Sequence, residues 1–278
     1  MMHFLLIDAL NLIRRIYAVC ESQHGSDSDA AIEAALQRTS NAINKLMHQY
    51  QPHYAVAAFD GQSSWRHAYY PDYKISRKPM PERLKTNLGR FAHAFHAAQI
   101  STLSVDNEEA DDVLATLASK APQTMQCIIV STDKGYLPLL SEQIKVYDYF
   151  GKSFRDAQQV QNKYGVSVAQ LTQYFALVGD KTNDIPGVNG IGIKSAKALL
   201  TQYDSVQHAL AQAPENKIQR QLTDNLPQYV RALHLVSLRC DIDLGVSLKQ
   251  FRVHNGAQQI VLPPHSASQS SAKPGILS

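Results

Sequence analysis

Apolar residues along this chain follow two different rhythms. In the first half they form short unbroken runs ending in aspartate: His3-Phe-Leu-Leu-Ile-Asp8, Tyr54-Ala-Val-Ala-Ala-Phe-Asp60 and Cys127-Ile-Ile-Val-Ser-Thr-Asp133. Runs without polar alternation are those of strands covered on both faces, as in a parallel sheet. Between them lie segments with helical spacing, Asp29 to Gln49, Pro81 to Ala98 and Ala110 to Lys120. The alternation predicts an α/β domain with an open parallel sheet, and a weaker run, Ile144 to Tyr149, is placed at its edge. Beyond about residue 158 the strand runs stop. Helices are predicted over Val168 to Leu177, Ile193 to Gln202, Ser205 to Gln212 and Leu226 to Leu238, with a glycine-rich loop, Gly179 to Gly192, between the first two. The chain therefore divides into a sheet domain over 1–157, a helical region over 158–250 and a disordered tail over 251–278. Pro263 to Ser278, rich in Ser, Pro and Ala, is the plainest part of that tail.

Composition narrows this picture without deciding it. With 278 residues, 44% of them hydrophobic and 18% charged, the chain can bury a proper core. A net charge of +3 is too small to identify a polyanionic partner, so such a partner must be read from local clustering. Three widely spaced cysteines, Cys20, Cys127 and Cys240, give neither a disulfide framework nor zinc-ligand spacing, and they suit a reducing cytosol. No stretch approaches the roughly 20 apolar residues of a spanning helix. A soluble, cytoplasmic protein without a membrane partner is expected.

The acidic residues carry the first chemical signal. Glu108-Glu109-Ala110-Asp111-Asp112 opens the predicted helix that continues through Val113, Leu114 and Leu117. Acids favour a helix N-terminus by about 0.3–1 kcal/mol each, which accounts for one or two of them. Four together repel one another, a cost that a divalent cation would relieve. On that segment alone a solvated acidic turn explains the pattern as well. Asp8, Asp60 and Asp133 shift the balance, because each closes an apolar run where open parallel sheets bind ligands. Any one of them could be a turn or cap residue. Acids from four separate segments, meeting at one sheet edge without clustered His or Cys, point to Mg2+ or Mn2+ and to phosphate chemistry. No glycine-lysine phosphate loop accompanies them.

Two basic features point to nucleic acid. From Arg66 to Arg90 there are seven basic residues against two acidic ones, a local excess larger than that of the whole chain. Aromatic residues interleave with them, the pattern that single-strand stacking combined with phosphate contact requires. An exposed basic loop with its aromatics folded into the core is the alternative, and nucleic acid is favoured over it because the patch adjoins the predicted metal site. The later segment Pro186-Gly-Val-Asn-Gly190-Ile-Gly192-Ile-Lys194-Ser195-Ala-Lys197 has the spacing of a helix–hairpin–helix. Its glycines permit a tight turn that leaves the first amides of the next helix free for a phosphate, with Lys194 and Lys197 adding charge.

Taken in order, LLIDALNLI, FD, WRH…YK…R, EADD, STDKG and IPGVNGIGIKSA resemble the bacterial 5′-nucleases, the exonuclease domains attached to or similar to DNA polymerase I. The likeness spans about residues 2–250 and is nearest to the stand-alone exonuclease IX (Xni) group of flap endonucleases. It implies a PIN-like parallel-sheet 5′-nuclease domain with a helical arch at about 65–90, and a helix–hairpin–helix region that grips duplex DNA. Metal ligands carry over to Asp8, Asp60, Glu109, Asp111, Asp112 and Asp133, with Asp111 foremost. Arch residues fall on Arg66, Tyr73, Lys74, Arg77 and Lys78, of which Lys74 and Arg77 would stabilise charge on the scissile phosphate. The family's hairpin holds K+ through backbone carbonyls, matched by Leu177, Val178, Pro186, Val188 and Ile191. Gly190, Ile191, Gly192, Ile193, Lys194 and Ser195 match its DNA-phosphate contact. A polymerase partner follows by analogy only.

The sequence also departs from the family. Gly135 and Asn183 stand where the full pattern has acids, and Asp184 is displaced by one position, while Asp180 is kept. The losses fall on the second metal position, so one firm Mg2+ site and a weak second one are expected. The activity implied is Mg2+-dependent cleavage of DNA near 5′-flap junctions. A junction-binding protein with decayed catalysis and a PIN-type ribonuclease are the alternatives.

Overall fold

The computed structural model describes residues 1–26, 28–214, 216–253 and 257–263. Its strands are β1 (Met2–Asp8), β2 (Tyr54–Phe59), β3 (Ser101–Val105), β4 (Met125–Val130), β5 (Ile144–Asp148), β6 (Ser153–Arg155), β7 (Gly179–Asp180), β8 (Ile185–Pro186) and β9 (Gln259–Leu262). Seven of them form one sheet in the order β6-β5-β4-β1-β2-β3-β9. Every neighbouring pair is parallel except β5 with β6. The chain moves from β1 outward to β3 and then returns to lay β4 on the other side of β1. This reversal opens a crevice beyond the carboxyl ends of β1 and β4, the place where such sheets hold ligands.

The apolar runs fill both faces, as their lack of alternation requires. One face packs under α1 (Ala9–His24), α2 (Asp29–Tyr50) and the phenylalanines of the segment that follows the basic stretch. In α2 the buried residues Ala31, Ile32, Ala35, Ala42, Ile43 and Leu46 recur at helical spacing. Ser28 begins that helix by accepting a hydrogen bond from the Ala31 amide at 3.1 Å. The basic stretch itself holds α3 (Trp65–Tyr69) and α4 (Glu82–Thr86), and α5 (Leu88–Ala97) runs out of its end. The single helix expected over Pro81 to Ala98 is thus broken at Asn87, whose ψ of 2° interrupts the helical backbone. The opposite face of the sheet packs under α6 (Ala110–Lys120), with the expected bounds.

Beyond the sheet lie α7 (Ala157–Tyr164), α8 (Leu171–Val178), α9 (Ile193–Tyr203), α10 (Val206–Ala211), α11 (Lys217–Asp224) and α12 (Leu226–Val236). Their apolar faces form a second core that includes Val160, Phe175, Leu199, Leu222 and Leu233, and it also takes in Tyr73 and Leu137. The helical region is therefore packed against the base of the basic stretch and against the turn after β4. Among the described residues no helix is long and apolar enough to cross a membrane.

The expectation of a disordered tail over 251–278 needs correcting at its start. Phe251 is buried and stacks on Phe4 with centroids 6.0 Å apart, Val253 is buried, and β9 pairs in parallel with the free edge of β3. A four-residue strand carries little periodic signal of its own, and its partner β3, Ser-Thr-Leu-Ser-Val, is half polar. Only the sheet edge makes it a strand. Residues 264–278 lie outside the described residues.

Candidate active site

Four acids that are far apart in sequence line one open cavity of about 440 Å3: Asp8, Asp60, Asp111 and Asp133. Each is held by a local donor. Asp8 closes β1 and caps α1, its Oδ1 accepting from the Asn11 amide at 3.1 Å and its Oδ2 from the Ser131 hydroxyl at 2.9 Å. Asp60 accepts through Oδ1 from the Ala110 amide at 2.9 Å, which ties the end of β2 to the start of α6. Asp111 accepts from the Tyr136 hydroxyl at 2.7 Å, and Asp133 from the Gly135 amide at 2.7 Å. The second oxygens of Asp60, Asp111 and Asp133 have no hydrogen-bond partner among the described residues.

Crowding these carboxylates has an electrostatic cost. Burial, followed by the nearby charges of Asp60 and Asp133, pushes Asp8 up to about 7. Burial and then Asp8 and Asp133 push Asp111 well above the usual carboxylate range, and burial also raises Asp60. Hard oxygen donors with free lone pairs and mutual repulsion suit a divalent cation. Among the described residues, however, no three acidic, histidine or cysteine side chains stand close enough to enclose an ion as they are. Binding would have to draw the free oxygens together.

The acidic opening of α6 divides in a way the sequence does not announce. Successive residues on a helix point about 100° apart, so neighbours serve different faces. Asp111 faces the cavity. Asp112 does not, which corrects its place among the expected ligands: it is fully buried, Oδ1 accepts from Arg66 Nη2 at 2.8 Å and from the Arg239 amide at 2.9 Å, and Oδ2 accepts from Trp65 Nε1 and Arg66 Nη1. Glu108 turns away to pair with Arg239. Glu109 sits between, accepting from Lys74 Nζ at 2.8 Å, the Tyr73 hydroxyl at 3.0 Å and Arg66 Nη1 at 3.1 Å. Burial alone would raise its carboxyl, but the Lys74 ammonium and Arg66 guanidinium outweigh that and hold it below its ordinary value.

Arg66 and Tyr73 are corrected for the same reason. Expected as arch residues, they are 2% and 3% exposed and serve the Glu109–Asp112 network from inside. Lys74 and Arg77 line the cavity. Arg77 also lines an adjoining groove with Lys78, Gln62 and Met80.

Sequence reasoning missed Arg14 and Lys163. Arg14 lines both the cavity and the groove, half-buried between Arg77 and Asp60. Its signal was present, since Asp8, Asn11 and Arg14 follow at steps of three, which is one helix face. Lys163 reaches the cavity from α7, and only tertiary packing brings it there.

The glycine-rich loop joins α8 to α9, with β7 and β8 paired across it (Gly179 with Pro186, Asp180 with Ile185). The Val188 amide donates to the Leu177 carbonyl at 2.8 Å and the Ile191 amide to the Val188 carbonyl at 3.0 Å. These bonds tie Val188 to Leu177 at the end of α8 and Ile191 to Val188, while Pro186 pairs with Gly179, the residue after Val178. Gly187 is required there, because a Cβ would lie 2.4 Å from the Leu177 carbonyl oxygen. Gly190 has φ +78°, Gly192 caps α9, Ile193 and Lys194 are exposed at its start, and Ser195 beside them is half-buried. Lys197 lies elsewhere, folded over Gly165. Asp180 accepts from Lys134 Nζ at 2.6 Å and from Asn183 Nδ2 at 2.9 Å. Asp184 does not line the cavity, so it does not replace the acid missing at Asn183.

Comparison with known proteins covers nearly the whole chain. The family description "5′-3′ exonuclease, N-terminal resolvase-like domain" matches residues 3–165, and "5′-3′ exonuclease, C-terminal SAM fold" matches 166–259. Flap endonuclease Xni of Pseudoalteromonas translucida is 48% identical over 254 residues, covering 91% of this chain and 99% of that protein. Flap endonuclease Xni of Psychromonas ingrahamii is 46% identical over 252 residues, covering 89% and 96%. The crystal structure of the T5 D15 protein, co-crystallised with metal ions, is similar in fold, with a TM-score of 0.67 at 21% identity over 85% of this chain and 89% of that one.

Proposed function

Because the chain belongs to the 5′-3′ exonuclease family, alongside the Xni flap endonucleases, we propose that it hydrolyses a DNA phosphodiester near a 5′-flap junction with Mg2+ as its cofactor. The supporting observation is the meeting of Asp8, Asp60, Asp111 and Asp133 beside two cations, Lys74 and Arg77, in one cavity. Mg2+, with Mn2+ as a substitute, would lower the pKa of the attacking water and neutralise charge on the phosphate. Asp111, Asp60 and Asp133 have free oxygens to hold it, with Asp8 behind them, while Glu109 acts through Lys74. One ion is favoured over two, since Asp180 is already paired with Lys134 and Gly135 and Asn183 offer no carboxylate.

The chain's own groups do the rest. The Lys74 ammonium and the Arg77 guanidinium would hold the scissile phosphate and the charge that grows on it. Gly190 to Ser195 would seat a phosphate of the duplex at the start of α9. The carbonyls of Leu177, Val178, Pro186, Val188 and Ile191 would hold K+ in the turn beneath. The single 5′ strand would run along the groove between Arg14 and the 65–90 segment. Products would be a 5′-phosphate and a 3′-hydroxyl.

A labelled 5′-flap duplex is the direct test. Cleavage near the junction in Mg2+, and none in chelator, is expected. Tight binding without turnover would instead indicate a junction-binding protein, and preference for an RNA flap would indicate a ribonuclease.

The carboxyl shifts give a second test. A carboxyl raised by the fold is favourable when protonated, so its contribution falls as pH climbs from its unfolded value of about 4. For Asp8 that loss runs up to about pH 7. In chelator the protein should melt at a lower temperature at pH 8 than at pH 5.5. Millimolar Mg2+ should raise the melting temperature more at pH 8, where the carboxylates are ionised. Equal melting temperatures in chelator and equal Mg2+ shifts would contradict the site.

A further inference from the structure

The loop that has Asn183 in place of an acid carries another attachment. The Asp184 carboxylate accepts from the Ser76 amide at 2.9 Å through Oδ2, and from the Ser76 hydroxyl at 2.8 Å to Oδ1 or 2.7 Å to Oδ2. One residue earlier, the Asn183 carbonyl accepts from the Lys74 amide at 3.0 Å. These bonds join the hairpin loop to the basic stretch across more than 100 residues of sequence. Both sides of the joint are conformationally unusual. Lys74 has φ +57° and Asp184 φ +54°, left-handed conformations that side chains seldom adopt without support.

The joint lies between two working parts. On one side, the loop carrying Asn183 and Asp184 is closed by the β7–β8 pair and leads into the turn before α9. On the other, the Lys74 backbone fixes the origin of the side chain whose Nζ meets Glu109 and lines the cavity, and the Arg77 amide donates to the Lys74 carbonyl at 3.0 Å. A displacement of the loop must therefore move the Lys74 backbone, and Arg77 with it.

We propose that Asp184 is a positioning residue, clasping Ser76 so that the seating of duplex DNA on the hairpin sets the placement of Lys74 and Arg77 at the scissile phosphate. This rests on the flap-nuclease reading given above. It assigns to Asp184 a mechanical role in recognising DNA structure, in place of a metal-binding one.

The test compares Asp184→Ala with Asp184→Asn, which keeps an oxygen for Ser76, in the intact protein. Hydrogen–deuterium exchange over residues 74–77 in the absence of DNA reads the clasp itself. Asp184→Ala should speed exchange there about tenfold, the factor of one lost hydrogen bond, and Asp184→Asn should stay close to wild type. With a 5′-flap duplex in Mg2+, the single-turnover rate of Asp184→Ala should fall by about tenfold, with flap affinity within roughly twofold of wild type. Its preference for the flap over a single-stranded oligonucleotide of the same sequence should shrink. Unchanged exchange and unchanged flap preference in Asp184→Ala would overturn the clasp, as would equal losses in the Asn and Ala variants. Failure of the wild type to cut any flap would refute the nuclease reading while leaving the exchange result to judge the clasp.

Discussion

Asp111→Asn is expected to lower flap cleavage at least ~1000-fold and, at the same time, to raise the melting temperature of the metal-free protein. The two effects have one origin. Asp111 is half-buried at the cavity wall and crowded by Asp8 and Asp133, so its ionised form is held at a cost that a bound cation would offset. Asparagine has nearly the same shape, and its Oδ1 can still accept from the Tyr136 hydroxyl. It removes the charge, and with it both the repulsion and the metal's anchor. A ~1000-fold loss corresponds to about 4 kcal/mol of transition-state stabilisation, within what metal catalysis supplies. Relief of about 1 kcal/mol of repulsion would raise melting by about 2–4 °C in a chain of this size. The penalty it relieves grows as pH climbs from the unfolded carboxyl value of about 4, so the gain should be larger at pH 8 in chelator than at low pH, where Asp111 is protonated in both states. Thermal melts with and without Mg2+ check this. A variant that cuts normally, or one that melts lower at pH 8 in chelator, would sink the assignment.

The second large effect is expected at Arg66, and it concerns the fold. Arg66 is buried against Asp112 and Glu109, donates through Nε to the Leu235 carbonyl at 2.9 Å and through Nη2 to the Ser237 carbonyl at 2.9 Å, and lies over Trp65 at 4.5 Å. It thereby pins the end of α12 to the start of α6. Removing one partner of a buried pair leaves the other charge uncompensated, at about 3–5 kcal/mol. Arg66→Met should lose stability of that order in chemical denaturation. Adding Asp112→Asn should recover part of it, because the stranded carboxylate is then gone. Lysine should rescue poorly, since an ammonium cannot reproduce the planar fork that reaches two carboxylates and two carbonyls. A loss of under about 1 kcal/mol in Arg66→Met would show that the network contributes little.

Much of this molecule was legible from pattern. The three apolar runs became β1, β2 and β4, and Ala110 to Lys120 became α6, because burial on both faces of a sheet and one face of a helix leaves a strong periodic trace. β3 and β9 escaped notice because they are short and partly polar, and each is a strand only by virtue of the neighbour it bonds. The meeting of Asp8, Asp60, Asp111 and Asp133 was legible too, since strand ends in a parallel sheet share one edge. Arg66 was placed with the arch because its buried partners, Asp112 and Glu109, are brought to it only by folding.

The sequence by itself determined the α/β class, the sheet edge where the acids gather, the hairpin spacing and the family likeness. All of these rest on local periodicity and on residue types in order along the chain. Tertiary structure alone decided which acids keep an open oxygen and which are neutralised, that Asp112 belongs to Arg66, that Asp184 holds Ser76, and that Lys163 reaches the cavity. Those outcomes depend on the distances between charges brought together from remote segments. Electrostatic energy varies with separation and solvent exposure, and neither is fixed until the chain has packed.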